Sequence, residues 1–414
     1  MQHSLLTARI DANRLWDSLM RMAEIGATGR GGCNRQALTD ADRAGRDLFV
    51  SWARAAGCSV SIDQIGNLFA ARPGLDPQAE PVILGSHLDT QPTGGRFDGV
   101  YGVMAGLEVV RTLNDLGIAT RRPIEVVAWT NEEGCRFAPA MLGSGVVAGA
   151  YDLQYAYSRT DSSGASLGDE LKRIGYQGSA EARARSWRAV FEAHIEQGPI
   201  LESSATTIGV VTGIQGAYWL DVTLKGVAAH AGPTPMEMRR DPWRVAAPLI
   251  QLAFDIAARR APWGRATIGN LKVSPGSRNT VPEQLIVSVD LRHPDRGTLA
   301  SMRSELTAAV KELAATHQID ASIEQVWFMP PTDFDRALVE SIVRCAQELN
   351  YSQKLMVSGA GHDSLHTARV APTAMIFVPC AGGLSHNEEE SATPADLAAG
   401  ANVLLHAAIR AAND

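Results

Sequence analysis

Two short apolar runs separated by a helical pattern constrain the fold of this chain more than any other feature. PVILGS (81–86) and PIEVVAWT (123–130) are rich in branched side chains, and GVYGVMAGLEVVRTLNDLG (99–117) between them has helical periodicity. Continuous apolar strands are typical of parallel sheets that are covered on both faces. This segment therefore predicts a βαβ unit, and similar alternation from about residue 40 to 210 predicts an α/β sandwich.

A different order of elements follows from about residue 215. YWLDVTLKG (218–226) is typical of a strand. After it come a helical pattern at 241–260, two strands, a second helical pattern at 298–316 and a last strand. Strand–helix–strand–strand–helix–strand is the ferredoxin-like arrangement. The sequence thus predicts a small α+β domain within the chain.

The α/β pattern resumes after this small domain. A helix is expected at 335–349 and a strand at PTAMIFVP (372–379). We therefore expect a discontinuous catalytic domain, residues 1–212 and 330–414, interrupted by an α+β lid at 213–329.

The composition argues against several classes of protein. The net charge of the 414 residues is −7 and no run of Lys and Arg forms a basic stripe, so a nucleic acid or an anionic membrane is not an expected partner. No apolar stretch approaches the roughly 18 residues that cross a bilayer, and the N-terminal segment, MQHSLLTARIDANRLWDSLMRMAEIG, predicts an amphipathic helix rather than a secretory signal. Five cysteines without a CxxC pair indicate a reducing compartment, and we expect the cytoplasm.

Polar clusters lie at the carboxyl ends of the predicted strands, where ligands collect in open α/β sheets. GSHLDT (85–90), GGRFDGVYG (94–102), WTNEEG (129–134) and HIEQGP (194–199) are four of them, and GLSHNEEE (383–390) follows the last strand. Alone, an HxD pair or a Glu–Glu pair is more often a solvated surface feature than a metal site. Together they offer imidazoles and carboxylates, which suit a nitrogen and oxygen metal site. The predicted ligands are His87, Asp98, Glu133, His194 and His386.

Asp98 can bridge two cations because a carboxylate has two oxygens. His87 and His194 would complete one site, and Glu133 and His386 the other. Because no thiolate takes part, Zn²⁺, Mn²⁺, Co²⁺ and Ni²⁺ all suit the predicted pair of sites.

Two further carboxylates have predicted roles beside the metals. Glu132 is the candidate general base, which takes a proton from the attacking water and delivers it to the leaving nitrogen. Asp89 is placed two residues after His87, where its carboxylate would orient the imidazole.

HLD, GRFDGVYG, NEEG and SHNE, in this order along the chain, resemble the motifs of the di-metal aminoacylase and glutamate carboxypeptidase superfamily. The chain is similar to its hydantoinase/carbamoylase amidases, which include N-carbamoyl-L-amino acid hydrolases, β-ureidopropionases and allantoate amidohydrolases. HIEQGP distinguishes this branch, because peptidase relatives generally have a carboxylate where this chain has His194. The resemblance implies a di-metal aminopeptidase-like α/β sandwich with an inserted ferredoxin-like lid that also forms a dimer interface.

The resemblance also implies which residues contact the substrate. Arg292 and Asn279 match binders of the substrate carboxylate, which suits the planar fork of a guanidinium. Gln197 matches a contact to the ureido or carboxylate end, and Gly361 matches a backbone contact.

A lid histidine of the family reaches the active site of the partner subunit and stabilises the developing oxyanion. His230 matches it, so the resemblance implies a homodimer. For His362, Asp363 and Arg239, a role beside the site and a structural role both stay open.

The resemblance implies hydrolysis of an N-carbamoyl amino acid, of the L-α or β-alanine type, to the amino acid, ammonia and carbon dioxide. HLDTQPTGGRFDG and EEGCRFAPAMLGSG favour this reaction over allantoate hydrolysis. A peptidase or deacylase of the same fold is a further alternative, against which Gln197 argues. A metal-stabilised dimer module without activity would lack the base or a ligand, whereas this chain has Glu132 and all five ligands.

Overall fold

The structure is a computed structural model that describes residues 7–414. It divides the chain into two compact units, one formed by the chain up to Thr212 together with Asp333–Asp414, the other by Gly213–Thr332. The second unit ends at Thr332 rather than at the predicted residue 329, because its last long strand itself continues to Met329. In residues 7–414 no helix combines the length and the apolarity that crossing a bilayer demands.

Strands and helices alternate through most of the described chain. The strands are β1 (Ser59–Ile62), β2 (Leu68–Arg72), β3 (Val82–His87), β4 (Ile124–Trp129), β5 (Ala189–Ile195), β6 (Ile208–Ile214), β7 (Gly216–Lys225), β8 (Ala229–His230), β9 (Arg265–Ser274), β10 (Thr280–Val281), β11 (Gln284–His293), β12 (Asp320–Met329), β13 (Thr332–Asp333), β14 (Gln353–Ser358) and β15 (Thr373–Val378). The α-helices are α1 (Ala12–Ala23), α2 (Asp40–Ala55), α3 (Val100–Asp115), α4 (Leu142–Val147), α5 (Leu153–Tyr157), α6 (Leu167–Ile174), α7 (Ile200–Ser203), α8 (Trp243–Ala258), α9 (Arg296–His317), α10 (Arg336–Glu348), α11 (Ser364–Thr367) and α12 (Pro394–Asn413).

Four parallel strands form the centre of the large sheet. The strand order is β1-β2-β4-β3-β5-β15-β6-β13, with β14 also paired to β6. β4, β3, β5 and β15 run parallel, whereas β2 and β6 flank them in the antiparallel direction. Every residue of the four central strands is buried, as their continuous apolar sequences predict. The predicted βαβ unit is confirmed as β3, α3 and β4.

Helices pack against this sheet and against one another. α3 and α12 are almost wholly buried, and α12 packs against α1, α3, α10 and the central strands. The predicted start of α2 is confirmed, because the Thr39 side chain accepts the N–H of Asp42 as an N-cap. The N-terminal helix is shorter than predicted: it begins after the N-cap Asp11, and residues 1–6 of the predicted segment lie outside the described residues.

The second unit has the predicted ferredoxin-like order of elements. Its sheet has the order β12-β7-β11-β9, and all three pairings are antiparallel. Alternate residues of β7 and β11 are buried against α8 and α9, which pack together on one face of the sheet. A two-strand ladder of β8 and β10 joins the loops beside it.

Candidate metal centre

The carboxyl ends of the four parallel strands bring the predicted ligands together. His87 is the last residue of β3, and His194 is the next to last residue of β5. Glu133 lies in the turn after β4, His386 lies in the loop after β15, and Asp98 lies just before α3. Because neighbouring parallel strands end at the same edge of a sheet, residues far apart in sequence meet there.

Asp98 lies at the centre of this group. Its Oδ1 is 3.2 Å from Nε2 of His194 and 3.6 Å from Nε2 of His87. Its Oδ2 is 3.6 Å from Nε2 of His386, which is in turn 3.4 Å from Oε2 of Glu133. The donor atoms therefore form two groups that share Asp98, with all atoms of a group within 4.8 Å of one another: His87, Asp98 and His194, and Asp98, Glu133 and His386.

Hydrogen bonds from the far ring nitrogens orient two of the imidazoles. Nδ1 of His87 is 2.9 Å from the carbonyl oxygen of Asp89, and Nδ1 of His194 is 2.9 Å from that of Ile195. A carbonyl oxygen only accepts, so each Nδ1 carries a proton, and in the neutral ring each Nε2 keeps its lone pair. In His194 this Nε2 accepts the N–H of Gly99 at 3.0 Å. Both rings thus present an unprotonated nitrogen toward Asp98, the form that binds a metal ion.

The structure corrects the predicted contact between Asp89 and His87. The Asp89 carboxylate lies 3.9 Å from Nδ1 of His87, too far for a hydrogen bond, and the backbone carbonyl of Asp89 makes the contact instead. The carboxylate accepts the N–H groups of Glu132 and Glu133, at 3.3 and 3.2 Å. Asp89 therefore orients the imidazole through its main chain and the Glu132–Glu133 turn through its side chain.

Strained backbone marks the turns that carry the site. Asn131, Gln197 and His386 have φ of 57°, 57° and 53°, in the left-handed region that residues other than glycine seldom adopt. Each lies shortly after the end of a central strand, where the chain turns sharply. Such strain costs of order 1–3 kcal/mol at each position and persists where surrounding structure enforces it, which is typical of functional sites.

The pKa shifts of the carboxylates in this group indicate that an added positive charge would stabilise their ionised forms. Burial and the neighbouring charge of Asp98 raise the pKa of Glu133 to about 8. Burial alone would raise the pKa of Asp98 too, but the adjacent imidazoles of His194 and His87 hold it well below its usual range. The ion pairs that the structure gives these two carboxylates, across residues 7–414, are all with histidines. A divalent cation would supply the missing charge, so the residues fit a metal site.

The donor set selects the kind of metal. Imidazole nitrogens and carboxylate oxygens suit Zn²⁺, Mn²⁺, Co²⁺ and Ni²⁺. Cys135 follows the Glu132–Glu133 turn, but its Sγ contacts the carbonyl oxygen of Thr90 at 3.6 Å, and burial raises its pKa to about 12. A thiol with a raised pKa is a poor ligand and a poor nucleophile.

Glu132 is buried at the same edge of the sheet. Its Oε2 lies 3.5 Å from Nε2 of His87. Burial, together with the charges of Asp363 and Glu133, raises its pKa well above its usual range, although His87 opposes the shift. A carboxylate with a raised pKa can both accept and return a proton near neutral pH.

Sequence reasoning missed several residues that contact the ligands. Nε2 of Gln91 donates to Oε2 of Glu133 at 2.7 Å, and the hydroxyl of Ser385 donates to Oδ2 of Asp98 at 2.6 Å. Gln91 and Ser385 lie in or beside the singled-out clusters, but polar residues in loops have no periodicity that would distinguish them from solvated neighbours.

The predicted contacts in the first unit lie at or near the ligands. Nε2 of Gln197 donates to Oδ2 of Asp98 at 2.8 Å, and its Oε1 is buried without a hydrogen-bond partner in the described chain. Gly361 directly precedes His362, whose ring lies edge-on to His194 with centroids 4.6 Å apart. Asp363 accepts a hydrogen bond from Ser144. These contacts place His362 against a ligand and Asp363 in the buried layer near it.

The predicted contacts in the second unit lie on its strands and loops. His230 is paired with Thr280 in the β8–β10 ladder, and the carbonyl oxygen of Asn279 accepts the N–H of Ala231 at 2.8 Å. Arg239 holds the same turn, since its Nη2 donates to the carbonyl oxygen of Ala231 at 2.5 Å. His230 and Asn279 are thus neighbours.

Arg292 lies near the end of β11. Its Nη2 is 2.8 Å and its Nε 3.0 Å from the carboxylate of Asp290, two residues earlier on the same face of the strand. This pairing orients the guanidinium, and the side chain remains partly exposed.

Comparison with known proteins agrees with this geometry. Residues 83–410 match the model of peptidase family M20/M25/M40. An amidase of the hydantoinase/carbamoylase family from Burkholderia multivorans has the same fold, with a TM-score of 0.96, 52% identity and 99% of both chains covered. The chain belongs to the M20/M25/M40 family.

Within this M20/M25/M40 family the chain is a hydantoinase/carbamoylase amidase. The N-carbamoyl-L-amino-acid amidohydrolase of Rhizobium meliloti is 52% identical over 98% of this chain and 97% of its own length. The allantoate amidohydrolase of Bacillus subtilis is 32% identical over 95% of this chain and 96% of its own length. Both alignments therefore extend over the two compact units of this chain.

Proposed function

We propose that this M20 amidase hydrolyses the ureido C–N bond of an N-carbamoyl amino acid, of the L-α or β-alanine type. The observation that carries the proposal is the two-group donor set around Asp98, in a chain 52% identical to an N-carbamoyl-L-amino-acid amidohydrolase. Water adds to the ureido carbonyl carbon, the C–N bond breaks, and the resulting carbamic acid yields ammonia and carbon dioxide beside the free amino acid.

Two divalent cations would be held by the two donor groups. His87, Asp98 and His194 would hold one, and Asp98, Glu133 and His386 the other. When bound, such ions polarise the substrate carbonyl and make a water more acidic. The candidates stay Zn²⁺, Mn²⁺, Co²⁺ and Ni²⁺, because the donors are nitrogen and oxygen.

Glu132 is the general acid and base of the proposed reaction. Its carboxylate is buried at the site and its raised pKa suits proton uptake from the attacking water. The same proton then goes to the departing nitrogen. Asp89 supports this step by accepting the N–H of Glu132, which fixes the turn that carries the base.

The proposal gives substrate recognition to the residues that match the family's substrate contacts. Arg292 and Asn279 would bind the substrate carboxylate, and Gln197 and the backbone of Gly361 would contact the ureido or carboxylate end. The orphan Oε1 of Gln197 supports its role, because a buried acceptor without a partner is suited to a donor on a ligand.

A homodimer paired through the second unit completes the proposal. His230 would reach the active site of the partner subunit and stabilise the oxyanion. The exposed side chain of His230 in a Gly- and Pro-containing turn is consistent with such a role. The five cysteines are free thiols, which suits the reducing cytoplasm, the proposed location.

The substrate is tested with the manganese-loaded enzyme by ammonia release and, for the N-acetyl compound, which yields no ammonia, by release of the free amino acid. The panel contains N-carbamoyl-β-alanine, several N-carbamoyl-L- and D-amino acids, allantoate and an N-acetyl amino acid. We expect N-carbamoyl-L-amino acids or N-carbamoyl-β-alanine to react at least about 100-fold faster than the N-acetyl compound, as expected for a site that hydrogen-bonds the missing NH₂. Turnover of allantoate alone would favour the second candidate, which the Bacillus subtilis relative supports.

Replacing Glu132 tests the mechanism. Glu132→Gln keeps the shape of the side chain but cannot take a proton, so kcat should fall about 10²- to 10⁴-fold while the metal content is unchanged. Cleavage of the N-acetyl compound instead of the ureido substrates would indicate a deacylase. A wild type that binds metal and turns over none of these compounds would indicate an inactive module.

A further inference from the structure

Glu390 is a buried carboxylate to which the proposed mechanism gives no role. It lies in the loop after β15, four residues beyond His386, and only 3% of it is exposed. Its Oε1 accepts the backbone N–H of Phe97 at 2.9 Å and that of Asp98 at 3.1 Å. One oxygen of Glu390 therefore fixes the backbone at Asp98, although the two residues are far apart in the sequence.

The second oxygen of Glu390 reaches Asp98 through a serine. Oε2 lies 3.1 Å from the hydroxyl of Ser385, and this hydroxyl lies 2.6 Å from Oδ2 of Asp98. Oδ2 is the Asp98 oxygen on the side of His386, whereas Oδ1 faces His194. The Ser385 hydroxyl has one proton, so it donates to Asp98 or to Glu390 at any one time. This shared hydrogen bond, the relay through Ser385, involves only one of the two Asp98 oxygens.

The surrounding backbone is built closely around this carboxylate. A Cβ on Gly95 would lie 2.1 Å from the Glu390 carboxylate, so the segment before Asp98 can approach it only with glycine there. The loop of Glu390 is closed by its own hydrogen bonds, from Ala381 to Ser391 at 2.7 Å and from Glu390 to Asn387 at 3.0 Å. The close backbone at Gly95 and the hydrogen bonds of its own loop therefore fix the position of the Glu390 carboxylate.

We propose that Glu390 is a positioning residue that fixes Asp98 and, through Ser385, sets the cation affinity of the group Asp98, Glu133 and His386. Hydrogen bonds behind a ligand orient it and typically change metal affinity 10- to 100-fold when they are lost. The proposal rests on the proposed function in taking the centre to hold two cations.

Cobalt titration of the full-length protein tests this role. The protein is stripped with a chelator and titrated with Co²⁺, and the absorption of the bound ion separates the two binding steps. His386→Ala identifies the step that belongs to the group with Glu133. We expect Glu390→Ala to weaken this same step 10- to 100-fold and the other step less, because Asp98 belongs to both groups but Ser385 contacts only its Oδ2. With saturating Co²⁺, kcat should fall and KM should stay within about twofold.

Matched variants separate positioning from general damage. Glu390→Gln keeps an oxygen that can accept both N–H groups, so its affinity should stay within about threefold of the wild type. Glu389→Gln changes a solvent-exposed carboxylate of the same loop and should leave both steps unchanged. Ser385→Ala removes the hydroxyl that contacts Asp98, Glu390 and Gln197, and should weaken the step identified by His386→Ala.

The proposal is overturned if Glu390→Ala binds both Co²⁺ ions within threefold of the wild type, or weakens mainly the other step. It is also overturned if Glu389→Gln causes the same loss. If Glu390→Ala does not fold, Ser385→Ala decides, and unchanged binding in that variant overturns the relay. Because Co²⁺ binding needs no substrate, a wild type that binds two ions but releases no ammonia contradicts the proposed reaction alone.

Discussion

His366 shows how a buried titratable side chain can serve packing alone. It is 5% exposed, and neither ring nitrogen has a hydrogen-bond partner in residues 7–414. The ring of Tyr151 packs edge-on against it with centroids 5.6 Å apart. Burial lowers the pKa of His366 to about 4, so the folded protein keeps the ring neutral.

This neutral ring predicts a loss of stability in mild acid. The unfolded chain protonates His366 near pH 6.5, whereas the folded chain does so only near pH 4. The stability that the neutral ring contributes is therefore present above pH 6.5 and is lost as the pH falls from there toward 4. Between pH 7 and 5 this loss is about 2 kcal/mol.

His366→Phe provides the measurement. Phenylalanine has a similar ring and no proton to take up, so the variant should lose about 2 kcal/mol less than the wild type between pH 7 and 5 in urea unfolding. All other titrating groups are common to both proteins and cancel in the comparison. Equal losses in the two proteins would contradict the prediction.

The five candidate ligands that the structure brings together could be predicted from the sequence, because they lie in polar clusters next to the elements that the apolar patterns reveal. The contacts behind them could not. The bond from His87 to the Asp89 carbonyl depends on how the chain turns after β3, and the contacts of Glu390 with Phe97 and Asp98 join residues almost 300 positions apart. Sequence spacing carries no information on such turns and long-range contacts.

At the scale of elements, the start of α3 is shaped around His87, a candidate ligand. Gly99 is the N-cap of this helix, with φ of 68°. A Cβ there would lie 2.3 Å from the ring of His87. The helix can therefore begin next to His87 only because residue 99 has no side chain.

Replacing Gly99 predicts loss of the metal centre. In Gly99→Ala the new methyl group must displace His87, so bound metal should decrease and kcat/KM should fall about 10²-fold. Gly117 follows the same helix at φ 62°, and a methyl group added there would have no neighbouring atom within 4 Å, so Gly117→Ala is the matched control. It carries a similar backbone cost, roughly 1–2 kcal/mol, but should retain metal and activity.

Metal analysis and kinetics of the two variants distinguish steric displacement from backbone strain. Equal metal content in Gly99→Ala and Gly117→Ala would show that His87 tolerates the methyl group, and this result would contradict the prediction.

The long elements were predictable and the short ones were not. β3 and β4 follow from continuous apolar runs, and α3 and the helices and strands of the second unit follow from periodic patterns. Helix α4 was missed because all six of its residues are buried and it begins after Met141 in the left-handed region, so it has neither an amphipathic pattern nor a capping side chain. The strand order could not be predicted either, because it depends on tertiary pairing between distant segments.

At the scale of the whole molecule, the proposed dimer makes each site depend on two subunits. We predict that inactive His230→Ala subunits mixed with inactive Glu132→Gln subunits recover partial activity. A mixed dimer then has one site with both an intact Glu132 and an intact His230. Recovery should approach a quarter of the wild-type rate if subunits exchange at random in equal amounts, since half of the dimers carry one intact site of two.

The measurement is ammonia release after exchange, with mixed dimers confirmed by two different affinity tags. Confirmed mixed dimers without activity would contradict a shared site. The control is exchange between two preparations of Glu132→Gln, which should remain inactive.

The place of β15 in the sheet has a consequence for biosynthesis. This strand lies between β5 and β6, although both precede it in the sequence and leave the ribosome much earlier. Until it arrives, the nascent polypeptide has a gap in its sheet, and unpaired strand edges of this kind invite aggregation. The central sheet can therefore close only after β15 has been synthesised, because the strand order differs from the order of synthesis.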